Sequence, residues 1–275
     1  MPIVTLATDV GWAYAAQMKA VLYRSLPPGS VVDLAHDLPA HAVRESAFLL
    51  RHMARGFPPG TIHLGLVDPG VGGARAALVI ACRDGSRLVG PDNGVLRPLA
   101  EELGFTVAHR LRQGPTFPEG RPSPTFDGRD LFAPAAARLA LGAAPAELGP
   151  RHVPVDLVLP GPVRRAKRAS GELVHVDRFG NLITNVPAGW RPDTGPVEVR
   201  ISRGPLRAAR LVDSYSELGF EELGVLTSSF GVLEVARREG PASELLGASV
   251  GDPVEFTWRP SAAARSRAER KTVRG

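Results

Sequence analysis

The sequence predicts two domains, an α/β N-terminal domain with a mainly parallel sheet over residues 1–160 and a smaller all-β, barrel-like C-terminal domain over residues 172–258. In the first half, short β-branched apolar runs alternate with amphipathic stretches, the pattern of strands joined by covering helices. In the second half, apolar runs follow one another with only turn residues between them and little helical periodicity. Between the two, LVLPGPVRRAKRASG crowds Pro, Gly and basic residues together, which predicts a linker or exposed crossover at 161–171.

IVTLAT opens the chain as a strand, and residues 14–25 follow as a helix. VVDL is the next strand and HAVRESAFLLRHMARG the next helix. TIHLGLV, AALVIAC and RLVGP are further strands, and GRDLFAPAAARLA reads as a helix. Beyond the linker, ELVHV, NLITNV, PVEVRI, GPLRAARLVDSY, LGVLTSSFGVLEVA and DPVEFTW are strand-like segments separated by turn residues.

A chain of 275 residues buries a core without staples, and no apolar run approaches the roughly 20 residues needed to span a bilayer. The start, MPIVTLATDVG, runs directly into a strand without the basic and apolar regions of a leader, so a cytoplasmic location is expected. The pI near 10.0 invites a nucleic-acid reading, but the charge is concentrated in the tail. Residues 259–275 hold six basic residues and one acidic one, a net +5 equal to that of the whole chain, so the body is close to neutral. Such an Ala/Arg/Ser tail is expected to be disordered. Cys82 is the only cysteine and sits in an apolar run, where a buried thiol is the plainer reading than a nucleophile.

In open α/β sheets, ligands gather at the carboxyl ends of the strands, so polar residues just after apolar runs are the candidates. Five segments qualify: TDVG (8–11), VDPGVGGAR (67–75), GPDNG (90–94), TFDGRDLFAPAAA (125–137) and DRFGNLITN (177–185). Singly, each also reads as a turn, because Asp, Asn, Gly and Pro are the residues that reverse a chain. Neither a dinucleotide fingerprint nor a P-loop is present, and no helix carries His-Glu-x-x-His, so no transition-metal site is expected.

Together, VDPGVG-x-x-R, PDNG, GRD-x-FAPAAA and D-x-FGN-x-x-TN, in that order, resemble one family over residues 3–258: the S-adenosyl-L-methionine (SAM) hydroxide adenosyltransferases, or SAM hydrolases, relatives of the fluorinases and chlorinases. The resemblance implies a homotrimer whose active sites lie between one subunit's N-terminal domain and its neighbour's C-terminal domain. It implies SAM or adenosine as ligand, with no cofactor, no metal, no specific nucleic acid and no membrane partner. The implied reaction displaces methionine from the ribose 5′ carbon with water or hydroxide, yielding adenosine and L-methionine. The sulfonium already makes methionine a good leaving group, so the protein has mainly to orient and desolvate the nucleophile.

The triad that holds water in the family falls on Asp68, Arg75 and Asp127, the last standing where the family reads histidine. An aspartate with an ordinary pKa of about 3.9 is a poorer base than histidine, although carboxylates crowded together can shift upward. The competing reading makes Asp127 the N-cap of the following helix. By the same resemblance Asp9 holds the ribose hydroxyls, Asp177 faces the methionine ammonium and Asn181 reads the adenine edge. Tyr215 packs on adenine, and Ser228 and Ser229 bind the methionine carboxylate. The alternatives are a turn cap for Asp9, a core residue for Tyr215 and a hairpin turn for the serines. Two further departures stand out. TDVGWAYAAQMKA is shorter than the family's loop and lacks its second aspartate, so that Trp12 either narrows the pocket or anchors a subunit contact. Phe230 occupies a position that is often small or basic.

Overall fold

The computed structural model describes residues 1–112, 123, 125–192 and 195–258; the basic tail at 259–275 lies outside the described residues. The chain divides into two compact units, the first Met1–Val158 and the second beginning at Leu159.

In the first unit, β1 (Val4–Thr8), β2 (Val31–Ala35), β3 (Ile62–Leu66), β4 (Ala77–Cys82), β5 (Arg87–Pro91), β6 (Phe105–Arg110) and β7 (Arg151–His152) form one sheet in the order β2-β1-β3-β5-β4-β6-β7. β1 and β3 are buried along their whole length, as expected for strands covered on both faces. Met18 and Leu22 of α1 (Trp12–Tyr23) and the alanines of α4 (Ala133–Ala140) share a core with Val4, Leu6, Ile62 and Leu64. α2 (Val43–Ala54) packs against α3 (Arg97–Glu102).

The sheet is mixed, which corrects the expectation of a mainly parallel one. β1 pairs in parallel with β2 and β3, and β3 with β5; β4 is antiparallel to β5 and β6, and β6 to β7. The cause is local. Only RDGS, residues 83–86, separates β4 from β5, and so short a link cannot carry a parallel crossover. Asp84 braces that link by accepting hydrogen bonds from the Ser86 amide and hydroxyl, both at 2.9 Å.

The strand order makes β1 a switch point, because the chain leaves through α1 to β2 on one side and returns through α2 to β3 on the other. Thr8 therefore lies opposite Leu66, and the residues after them, Asp9 and the 67–75 loop, share one sheet end.

In the second unit, β8 (Val163–Arg165), β9 (Arg168–Val176), β10 (Leu182–Pro187), β11 (Pro196–Ile201), β12 (Arg207–Leu211), β13 (Leu223–Thr227), β14 (Val232–Arg237) and β15 (Pro253–Trp258) form one sheet. The pairing of β10 with β9 closes seven of these strands into a barrel and leaves β8 outside the ring. Period-2 burial fills its interior: β15 turns Val254, Phe256 and Trp258 inward, where they join Leu173, Val199 and Val225. The stretch 161–171, expected as a linker, carries β8 and the first residues of β9, paired as a hairpin. Gly171 is required near the closure, since a Cβ there would come within 2.0 Å of Asn185 Oδ1. That oxygen accepts from the Glu172 amide at 2.9 Å, and the Asn185 amide donates to the Pro160 carbonyl at 2.8 Å.

No helix among the described residues is long and apolar enough to cross a membrane. Cys82 is buried, and burial first, then Asp84, pushes its thiol up to about 12, which leaves it protonated and inert.

Candidate active site

A cavity of about 240 Å³ lies in the first unit, lined by Asp9, His41, Asp68, Phe126, Asp127 and Phe132 among others. Arg75 reaches back along its own loop to Asp68, its Nε donating to both carboxylate oxygens at 3.0 Å and one Nη to Oδ2. The same Nη donates to Asp127 Oδ2, so two carboxylates from distant segments share one guanidinium. All three side chains are 12–13% exposed, and the guanidinium also rests 5.4 Å from the Phe132 ring centre. Burial works against the charged guanidinium, but the hydrogen bonds and charges of Asp68 and Asp127 outweigh it and hold its pKa above the ordinary value.

The neighbouring motifs hold this cluster in place. Asn93, of PDNG, donates from its side chain to the Val67 carbonyl at 2.8 Å and accepts from the Val95 amide at 3.1 Å. Asp92 accepts from the Val155 amide at 2.8 Å and pairs with His152 at 2.7 Å. In GRD, Arg129 pairs with Asp130 and bonds Gln17 at 3.0 Å. Asp130 in turn accepts from the Ser123 amide at 2.7 Å, and its carboxyl is held below the usual range chiefly by Arg129.

Asp127 stands at the N-cap position of the next helical turn, but its side chain does not act as a cap. Its backbone is already helical at φ −58° and ψ −25°, its side chain caps nothing, and its carboxylate is spent on Arg75. It precedes a π-helical turn, Gly128–Phe132, in which the Ala133 amide donates to the Gly128 carbonyl. Gly128 has no room for a side chain, because a Cβ would come within 2.9 Å of the Phe126 ring and 3.0 Å of Met18 Sδ.

Asp9 lines the same cavity, and its Oδ2 accepts from the His41 amide at 3.1 Å. Trp12 does not line it. At 63% exposure it begins α1 and sets its ring at right angles to that of His36, centres 4.5 Å apart. His36 joins Thr8 (3.2 Å) to Asp33 (3.0 Å), and Lys19 reaches Asp33 at 2.8 Å.

The second unit holds its own cavity of about 470 Å³, lined by Asp177, Tyr215, Ser228, Ser229, Phe230 and Glu234 among others. Asp177 organises its turn, with Oδ1 accepting from the Phe179 and Asn181 amides and Oδ2 from the Asn181 side chain, all at 2.9 Å. Asn181 is thus buried beside Asp177. Ser228 Oγ accepts from the Phe230 amide at 3.3 Å. Tyr215 is half exposed rather than a core residue, and its hydroxyl donates to Glu234 at 2.6 Å. Burial first, then Glu234, raises the Tyr215 pKa; burial and Asp177 raise that of Glu234 against the lowering effect of the Tyr215 hydrogen bond.

Both units match described domains. The SAM hydroxide adenosyltransferase N-terminal domain matches residues 4–149, and the SAM hydroxide adenosyltransferase C-terminal domain matches residues 171–255. The chain belongs to the SAM hydroxide adenosyltransferase family. A family relative from Salinispora tropica, named (R)-S-adenosyl-L-methionine hydrolase, is 39% identical over 93% of this chain and 98% of its own length. A relative of the same name from Thermus thermophilus is 39% identical over 88% of this chain and 94% of its own. Among solved structures, an uncharacterized conserved protein from Thermotoga maritima aligns with a TM-score of 0.86 at 33% identity, covering 93% of this chain and all of that one.

Two features of this family member escaped sequence reasoning. Glu234 is 3% exposed inside the barrel strand VLEVAR and lines the second cavity; an acid with apolar residues on both sides in a strand was the available signal. His41 holds a positive φ of 62° while its amide meets Asp9; histidine is enriched at positive φ, but that preference alone does not mark the position.

Proposed function

We propose that the protein hydrolyses SAM at the ribose 5′ carbon, producing adenosine and L-methionine. The observation that carries this reading is the convergence of Asp68 and Asp127 on Arg75 at the wall of a cavity that Asp9 also lines. It stands in a chain whose family relatives of nearly full length carry the name SAM hydrolase. Water attacks the 5′ carbon, the carbon–sulfur bond breaks, and its electron pair stays on sulfur as the neutral thioether of methionine. The water proton passes to a carboxylate of the cluster and then to solvent. In this reading Arg75 fixes the two carboxylates so that water bound to them is aimed rather than free, an orienting role of the kind that dominates when the leaving group is already activated. Three carboxylates against one guanidinium suit a sulfonium substrate and disfavour a halide nucleophile.

Asp9 serves the ribose hydroxyls. Asp177, Asn181, Tyr215, Ser228 and Ser229 serve the methionine and adenine ends, and a homotrimer is the assembly that goes with this arrangement. Incubation of the purified chain with SAM, followed by chromatography, tests the reaction: adenosine and methionine are expected in equal amounts. Absence of adenosine above the uncatalysed rate, with SAM still binding by calorimetry, would reject hydrolysis in favour of a binding protein. Sedimentation at three times the chain mass of 29.2 kDa tests the assembly.

A further inference from the structure

The loop that carries Arg75 borders a second space. A cavity of about 520 Å³ is lined by Arg75, Arg110, Arg112, Leu111, Pro150 and the segment 73–77. Three of these are arginines and none is acidic. The walls are well anchored: the Arg110 amide donates to Pro150 at 2.9 Å, the Leu111 amide to Ala77 at 2.7 Å and the Arg112 amide to Leu148 at 3.0 Å. Among the described residues, no carboxylate pairs with Arg110 or Arg112. Arg75 spends Nε and one Nη on Asp68 and Asp127, and its other Nη takes no part in those bonds.

We propose that this cavity binds a phosphate-bearing small molecule and that its occupancy slows turnover at the Asp68–Arg75–Asp127 cluster. Guanidinium groups are planar, permanently charged forks suited to phosphate oxygens, and a space of this size is typical of small-molecule sites, which run from about 300 to 1,000 Å³. The coupling follows from Arg75, which borders this cavity and holds the carboxylates that line the other. An anion on the Nη that Asp68 and Asp127 leave unused draws the guanidinium away from those carboxylates, because one charge serves both sites. Only this coupling rests on the proposed hydrolysis; the binding site stands without it.

The test titrates the full chain by calorimetry, in phosphate-free buffer of low ionic strength, with inorganic phosphate and separately with ribose 5-phosphate. Saturable binding of at least one is expected, weakened about tenfold or more in an Arg110→Gln/Arg112→Gln double variant, a loss of about 1.4 kcal/mol or more. Tighter binding of ribose 5-phosphate identifies an organic phosphate as the ligand, and equal or tighter binding of inorganic phosphate identifies the free ion. Without phosphate, the double variant is expected to hydrolyse SAM at the parent rate. The bound phosphate compound is expected to lower kcat at saturating SAM in the parent and leave the double variant unchanged. No saturable binding of either compound, or equal affinity in parent and double variant, overturns the site. Binding with unchanged kcat overturns the coupling. A chain that binds phosphate but releases no adenosine keeps the site and sinks the hydrolase reading, whereas one that releases adenosine without binding phosphate does the reverse.

Discussion

Two aspartates and one arginine carry a net negative charge at the first cavity, and their shared hydrogen bonds make Arg75 the residue on which both carboxylates depend. Replacing Arg75 with Met leaves two mostly buried carboxylates facing each other without a counter-charge. That change is expected to cost about 3 kcal/mol of stability near neutral pH, read from the urea midpoint. Asp127→Asn keeps the shape but removes a proton acceptor and a charge. It is expected to lower kcat about 100-fold with little change in KM for SAM. Asp127→His installs the histidine that the resemblance implies at this position but gives up the charged contact to Arg75, so the rate is not expected to exceed that of the parent. A large gain would mark the natural residue as an impaired base instead. Asp68 and Arg75 were legible as a pair because one loop carries both. Asp127 lies 52 residues from Arg75 in sequence, so only the resemblance of its motif to the family's grouped the two, and the direct bond between them is a property of the fold.

At the scale of elements, the π-helical turn at Gly128–Phe132 sets where Asp127 points. Such turns insert one residue into a helical register and recur at functional sites. Gly128→Ala must push against Phe126 and Met18 at once. It is expected to cost about 1–3 kcal/mol and to reduce turnover with it, checked by thermal denaturation alongside the SAM assay. The helix around GRDLFAPAAARLA was legible from its alanines, whereas its π register and the close approach of Gly128 to Phe126 and Met18 were not, because they involve residues brought together only by the fold. β14 carries a different test. Glu234 has a folded pKa raised first by burial, so the native state holds its proton more tightly than the unfolded chain. Stability contributed by that proton is present below the unfolded value of 4.5 and is lost as pH rises through the folded one. Glu234→Gln is therefore expected to raise the melting temperature at pH 8 relative to the parent and to change it little at pH 4.

Over the whole molecule, acid sensitivity has a clear source in His63, buried in β3 with its Nδ1 2.8 Å from the Thr5 hydroxyl. Burial lowers its pKa from 6.5 to about 4, so between those values the unfolded chain binds a proton that the folded chain refuses. Stability from this group is complete above pH 6.5 and falls with acidification by about 1.4 kcal/mol per pH unit until the folded value is reached. His63→Gln is expected to flatten the melting temperature between pH 7 and 5. By itself, the sequence determined the apolar runs that became strands and helices, the barrel-like run of strands in the second unit and the ordered motifs that mark the family. These are legible because hydrophobic period and turn chemistry act within a few residues of one another. Tertiary structure alone decided the antiparallel half of the first sheet, the closure of the barrel through β9 and β10, the π-helical turn that follows Asp127, and the buried acid Glu234 behind Tyr215. Each of these depends on which distant segments pair, and that is settled by burial and hydrogen bonding across the fold rather than by any local stretch of chain.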